Sequence, residues 1–285
     1  MIHVIGLDVG ATYTKGLVMD DDRNILGRSL VKTGFNLAGA AEKGFADALA
    51  AAGLEVEQID YVASTGYGRY LAQMRDIQIT ELTCHARGAS FLFPATRTVL
   101  DAGGQTVKAI KVDERGKVRA FRLNDKCAAG TGAFLDKTAR YMGFEPATIG
   151  ELAMDSQSPV TISSVCAVFA ESEVINHLTA GAKPEDIMYG AVQSLAGRAV
   201  QLMKRVGMEP EVTFAGGMSR NAAFVKALTA ELKATVNVPA GELGQFNGSL
   251  GACLLALERV RKLQAAGEFQ SRSRVAAGAA AGGVA

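Results

Sequence analysis

This sequence has almost no net charge, few cysteines and no long apolar run, and each of these features excludes a class of protein. Basic residues number 30 and acidic residues 29, so the net charge does not indicate nucleic acid or an anionic membrane as a partner. No apolar run reaches the roughly 18 residues of a membrane-spanning helix. Ile2–Val9 is apolar but short, contains Asp8 and lacks a basic lead, so we expect no signal peptide. Four cysteines in 285 residues are too few for a disulfide framework. We expect a cytoplasmic protein with reduced thiols.

A pattern of three strands occurs twice along the chain. In each half a strand ends in an aspartate-containing glycine turn, and a second strand, a charged turn and a third strand follow. The first set comprises Ile2–Val9, Lys15–Met19 and a strand ending at Val31; the second comprises Thr98–Leu100, Thr106–Val112 and Val118–Leu123. This duplication predicts two α/β domains around a cleft.

The domain boundary is predicted near Pro94–Arg97, where a proline ends a predicted helix. We therefore expect an N-terminal domain over 1–96 and a C-terminal domain over 97–264. Residues 265–285 are rich in alanine, glycine and serine and have little apolar surface to bury, so we expect a disordered tail.

Three glycine turns follow predicted strands and form a candidate ATP site. They are Asp8-Val9-Gly10-Ala11-Thr12, Asp101-Ala102-Gly103-Gly104-Gln105 and Ala215-Gly216-Gly217-Met218-Ser219. A single turn of this kind usually only reverses the chain. Two of them, however, place an aspartate at a strand end, one in each half. Paired carboxylates can hold Mg²⁺ through its waters, while turn N–H groups and Lys15 bind phosphates. The third turn, with Asn221 and Gln245, is assigned to the purine and ribose.

A fourth segment joins a glycine turn to a cysteine. Within Asn124–Asp136, Cys127 lies three residues before Gly130-Thr131-Gly132, whose N–H groups could face a phosphate at the start of a helix. Cys166 also directly precedes a predicted helix. Taken alone, both cysteines are more typical of buried small apolar residues. Cys84, beside His85, and Cys253 are expected in the core.

Six stretches together resemble one protein family. They are Gly6–Thr12, Ala63–Arg69, Glu81–Ala86, Asn124–Asp136, Ser163–Glu173 and Gln245–Gly248. These stretches are similar to those of the 2-hydroxyacyl-CoA dehydratase activators and the ATP-hydrolysing benzoyl-CoA reductase subunits. That family lies within the acetate and sugar kinase, Hsp70 and actin superfamily. The resemblance runs from about residue 3 to residue 260.

The resemblance implies two RNase H-like domains around an ATP cleft, with Asp8, Asp101 and Gln105 in catalytic roles. It also implies that Cys127 and Cys166 from each of two subunits hold one 4Fe–4S cluster. Two thiolates are half of a Cys₄ site, so a homodimer or a heterodimer with a paralogue completes it. A reduced ferredoxin or flavodoxin would supply the electron. The acceptor would be an iron–sulfur dehydratase or reductase acting on an acyl-CoA.

Two alternatives and one departure accompany this interpretation. A cluster-free kinase of the same superfamily would phosphorylate a sugar or a carboxylate. A non-catalytic ATP-dependent interaction protein would not need both cysteines. The departure is Thr106, which stands where members of the family often carry aspartate, so we expect slower hydrolysis here if that aspartate positions Mg²⁺ or water.

Overall fold

The structure, a computed structural model, describes residues 1–124, 131–162 and 167–270, and for 167–171 the helix backbone alone. The chain divides into two compact units, Met1–Phe91 with the chain from Phe246 onward, and Leu92–Gln245. None of the helices in the described ranges is both long and apolar enough to cross a membrane.

The first unit is a five-stranded mixed sheet with helices. Its strands have the order β3-β2-β1-β4-β5, in which β1 is antiparallel to β2 and parallel to β4. The sequence explains β1, a short apolar run that is buried almost throughout, as a central strand must be. The elements are β1 (His3–Val9), β2 (Tyr13–Asp20), β3 (Ile25–Lys32), α1 (Leu37–Ala52), β4 (Tyr61–Thr65), β5 (Ile77–Gln78), α2 (Glu81–Leu92) and the helix Asn247–Ala265 at the C-terminal end.

The second unit repeats this topology. Its sheet has the order β10-β9-β6-β7-β8, with β6 antiparallel to β7 and parallel to β9. The elements are β6 (Thr98–Ala102), β7 (Val107–Val112), β8 (Val118–Asn124), α3 (Gly132–Tyr141), α4 (Ile149–Met154), α5 (Ala167–Thr179), α6 (Pro184–Arg205), β9 (Val212–Ala215), α7 (Ala222–Leu232) and β10 (Val236–Asn237). The predicted duplication is therefore confirmed at the level of sheet topology.

The C-terminal helix, α8 (Asn247–Ala265), lies in the first unit. The sequence-based division placed residues 246–264 in the second domain, and the structure differs there. The reason is packing: α8 lies against β1 and β4, and Cys253 Sγ donates to the carbonyl of Leu17 at 3.1 Å. Ala265 still belongs to α8, whereas residues 271–285 lie outside the described residues.

The close packing of α8 against α2 predicts a large cost for one methyl group. A Cβ at Gly251 would overlap the backbone carbonyl of Cys84. We expect Gly251→Ala to lower the free energy of unfolding by about 1–3 kcal/mol or more, because backbone cannot move aside as a side chain can. Gly197, within α6, is the matched control, since a Cβ there meets open space. Gly197→Ala should raise the free energy of unfolding by about 0.5–1 kcal/mol. Urea unfolding measures both, and equal effects would contradict this packing.

Candidate functional site

In the first unit, Asp8 is held at the end of β1 by a lysine on the neighbouring strand. Asp8 and Lys15 are opposite each other in the β1–β2 register, and Lys15 Nζ lies 3.2 Å from Asp8 Oδ2. The Gly10 N–H closes the following turn by donating to the carbonyl of Tyr13 at 3.2 Å. Thr33 Oγ1 donates to the carbonyl of Gly10 at 2.8 Å. The turn and the carboxylate are thus fixed by separate contacts.

A glycine from the parallel neighbour β4 encloses the other carboxylate oxygen. Gly66 follows β4 with φ +89°, and a Cβ there would lie 2.5 Å from Asp8 Oδ1. Only glycine combines this conformation with so close an approach. Asp8 is 4% exposed as a result, so its carboxylate is positioned rather than mobile.

The second unit builds the same arrangement around Asp101. Lys108 Nζ lies 2.9 Å from Asp101 Oδ2, and the Gly103 N–H donates to the carbonyl of Thr106 at 2.9 Å. Gly216 follows the parallel neighbour β9, again with φ +89°, and a Cβ there would lie 2.6 Å from Asp101 Oδ1. Lys108 is absent from the sequence-based site. The signal for it was present, because Lys108 is seven residues after Asp101 as Lys15 is seven after Asp8.

Both turns keep amide hydrogens for a ligand. Within the described part of the chain, the N–H groups of Ala11, Thr12, Gly104 and Gln105 donate to no protein atom. These residues are partly or fully exposed, and the side chain of Gln105 lies on the surface. Successive backbone amides in a glycine turn form a concave anion site. The geometry therefore suits phosphate at each turn.

The turn that begins α3 makes a different contact from the predicted one. The Gly132 N–H donates to the carbonyl of Gly103 at 3.1 Å, and the Ala133 N–H donates to that of Gly104 at 2.8 Å. The sequence assigned Gly130, Thr131 and Gly132 directly to phosphate. In this structure the Gly132 amide is instead bonded to the Asp101 turn, Thr131 is buried, and Gly130 lies outside the described residues. The first turn of α3 is thus tied to the candidate phosphate turn.

The third predicted turn contributes fewer free groups. Gly216 N donates to the carbonyl of Gly244 at 2.8 Å, while Gly217 is exposed. Asn221 caps α7, its Oδ1 accepting from Phe224 N at 2.9 Å. Gln245 is buried and its Oε1 accepts from Arg220 Nη1 at 2.9 Å. These bonds all join groups of the protein, and the assignment to the nucleoside stays a prediction for Gly216, Gly217, Asn221 and Gln245.

The four cysteines fall into two groups. Cys84 and Cys253 are fully buried, as predicted for core residues. Burial raises the pKa of the Cys84 thiol to about 12, and burial raises the pKa of the Cys253 thiol further. Both remain protonated at neutral pH and unsuited to bind metal. Cys127 and Cys166, the predicted cluster ligands, lie outside the described residues. Within the described ranges, no group of three or more His, Cys, Asp or Glu side chains is placed to hold a metal ion.

Comparison with known proteins identifies the family. The model of the BadF/BadG/BcrA/BcrD ATPase family matches residues 5–256. The chain is 41% identical over 266 residues to the 2-hydroxyisocaproyl-CoA dehydratase activator of Clostridioides difficile, covering 92% of this chain and 98% of the relative. It is 41% identical to the (R)-2-hydroxyglutaryl-CoA dehydratase activating ATPase of Acidaminococcus fermentans, covering 92% and 99%. Identity is 38% to one of the benzoyl-CoA reductase subunits of Thauera aromatica, covering 81% and 83%.

Solved structures agree with the sequence comparison. The activator of the 2-hydroxyisocaproyl-CoA dehydratase from Clostridium difficile with bound ADPNP superimposes with a TM-score of 0.87 at 40% identity, covering 93% of this chain and 98% of that one. A ROK family glucokinase from Streptomyces griseus gives a TM-score of 0.56 at 15% identity, covering 90% and 99%, which is a likeness of fold alone. The predicted actin, Hsp70 and sugar kinase type of fold is confirmed. On the family match and these identities, the chain belongs to the BadF/BadG/BcrA/BcrD ATPase family.

Proposed function

We propose that this protein is an ATP-hydrolysing activator that passes low-potential electrons to an iron–sulfur enzyme acting on an acyl-CoA. The observation that carries the proposal is the pair of hydrogen bonds from Gly132 and Ala133 to the Asp101 turn. They connect a candidate phosphate site to the chain segment that contains Cys127. The names of the relatives, which are activators of acyl-CoA dehydratases and a component of a benzoyl-CoA reductase, support the same conclusion.

The nucleotide would be ATP, bound with Mg²⁺. In the first unit, Gly10, Ala11, Thr12 and Lys15 would contact phosphate, and in the second unit Gly103, Gly104 and Gln105 would do so. The carboxylates of Asp8 and Asp101 fit Mg²⁺ because oxygen ligands suit it, and their pairing with lysines favours contact through the metal's waters. The metal, when bound, would neutralise charge on the phosphates. Gln105 is exposed at its turn and would orient the attacking water.

The 4Fe–4S cluster would be held by Cys127 and Cys166 of each of two subunits. Because Cys84 and Cys253 are buried and protonated, these two are the remaining thiols of the four in the chain. When bound, the cluster would carry one electron received from a ferredoxin or flavodoxin. Within the chain, ATP binding would shift the carbonyls of Gly103 and Gly104, and the bonded amides of α3 would move with them. A ligand shifts such an equilibrium only by its different affinity for the two arrangements.

Two alternatives remain. One changes the enzyme that accepts the electron, and the other changes the reaction itself. The acceptor would be a 2-hydroxyacyl-CoA dehydratase, or the reductase partner if this chain acts like its Thauera aromatica relative. A cluster-free sugar or carboxylate kinase shares the fold, as the ROK glucokinase illustrates. A kinase of this kind would not need a connection between the Asp101 turn and the chain segment that contains Cys127. The hydrogen bonds from α3 to that turn therefore favour the electron-transfer function.

Anaerobic reconstitution tests the proposal. The purified protein would be mixed with a 2-hydroxyacyl-CoA dehydratase, reduced ferredoxin, Mg²⁺ and ATP, and dehydration followed over time. We expect activity that requires ATP and is not supported by a non-hydrolysable analogue. The control arm offers acetate and hexoses without the dehydratase. Phosphorylation of one of these, together with an iron-free protein and no activation, would establish the kinase instead.

A further inference from the structure

The two lysines of the duplicated turns occupy equivalent positions. Each lies on the second strand of its unit, opposite the aspartate in the strand register: Lys15 opposite Asp8 and Lys108 opposite Asp101. Topology alone therefore gives them the same role. Their surroundings, however, differ in ways that bear on what each ammonium group does.

Lys108 is buried and is held by at least two side chains. Its Nζ lies 2.9 Å from Asp101 Oδ2 and 2.9 Å from Thr106 Oγ1. The side chains of Lys108 and Asp101 are only 7% and 5% exposed. Moving one member of such a pair would leave an uncompensated buried charge, which is strongly unfavourable. The Lys108 ammonium is therefore expected to stay paired with the Asp101 carboxylate and to hold its orientation.

Lys15 is held less tightly and lies beside the phosphate turn. Its Nζ is 3.2 Å from Asp8 Oδ2, and its side chain is 16% exposed. A Cβ built on Gly10 would lie 3.3 Å from that Nζ, so the ammonium is adjacent to the backbone of the turn. Lysine is a flexible point charge, so it can turn from a carboxylate toward a phosphate that enters the turn.

Lys15 keeps the phosphate-binding role proposed above, and we propose that Lys108 has a different one: it is a positioning residue that orients Asp101 without contacting the nucleotide. The proposal rests on the ATP-dependent function proposed above and assigns separate duties within it. Thr106 supports Lys108 in orienting Asp101, because its hydroxyl is a further partner of the Lys108 ammonium.

Binding and turnover, measured separately, test the division. Lys15→Met should raise the ATP dissociation constant about tenfold or more, because one charge-assisted contact to phosphate is lost. Lys108→Met should leave that constant within about threefold of wild type and lower kcat about tenfold or more, the signature of an interaction that matters after binding. Lys108→Arg, which keeps the charge, should recover part of kcat.

Each outcome bears on the proposal. Calorimetric titration with ATP gives the dissociation constants, and phosphate release gives kcat. Equal losses of ATP affinity in the two methionine variants would overturn the division, as would unchanged affinity in Lys15→Met. If Lys108→Met fails to fold, Thr106→Val serves instead, because it removes one partner of the Lys108 ammonium and keeps the ion pair with Asp101. Thr106→Val should lower kcat and leave the ATP dissociation constant unchanged. A change in the dissociation constant without a change in kcat would overturn the proposal. A wild-type protein that binds no ATP would overturn the proposed function, and the division with it.

Discussion

Asp8→Asn and Asp101→Asn are each expected to slow ATP hydrolysis about 10²-fold or more, because both carboxylates are proposed to hold Mg²⁺ through its waters. The structure makes these substitutions specific. Each aspartate is 4% exposed or less, forms an ion pair with a lysine and lies against a glycine with positive φ. An asparagine amide would therefore occupy the same place without the charge. Steady-state phosphate release measures the effect.

Asp20→Asn is the matched control for this pair. Asp20 is also buried at a strand end, but it is at the other end of β2 from Lys15, where its carboxylate accepts from Asn24 N at 2.8 Å and Asn24 Nδ2 at 2.9 Å. Burial alone would raise the pKa of Asp20, but the hydrogen bonds from Asn24 lower it overall. The control should lose some stability and keep its hydrolysis rate per folded molecule. Normal hydrolysis in both site variants would show that the nucleotide site has been placed wrongly.

Iron content should separate the cysteines completely into two pairs. Cys127→Ser or Cys166→Ser is expected to give a folded, ATP-binding protein without its iron, because each substitution removes two of four ligands per dimer. Cys84→Ser and Cys253→Ser should retain full iron, since both thiols are buried and have raised pKa values. Iron and acid-labile sulfide per dimer, measured after anaerobic purification, report the result.

The buried pair also serves as a control for folding. Serine in place of Cys253 puts a hydroxyl where Sγ donates to the carbonyl of Leu17, so a stability change without iron loss is the expected pattern. Iron loss in the Cys84 and Cys253 variants, with full iron in the other two, would reverse the assignment of the cluster ligands.

The sequence predicted the duplicated turns well because local signals define them. An apolar strand followed by aspartate and glycine specifies a turn at Asp8 and again at Asp101, and the alternation of strands and charged turns predicted the three successive strands β1 to β3 and β6 to β8. Cys84 and Cys253 were correctly predicted as core residues, since both lie in largely apolar helices.

Other features depended on contacts between distant segments, which no local pattern encodes. The unit to which α8 belongs is decided by its packing on β1 and β4, two strands that lie in the N-terminal quarter of the chain. The Gly132 amide was predicted to face phosphate, yet it bonds to Gly103, 29 positions earlier. The short helix α4 was not predicted from the sequence.

The central claim is that nucleotide state at the Asp101 turn is transmitted through α3 to the cluster segment. The most direct test is the rate at which a chelator removes cluster iron with no nucleotide, with ADP and with a slowly hydrolysed ATP analogue. We expect different rates for ADP and the ATP analogue, and a smaller difference in Gly130→Ala, because alanine restricts the backbone more than glycine does. Identical rates in all three nucleotide states would contradict the account and leave an ATPase whose cluster is not coupled to its nucleotide.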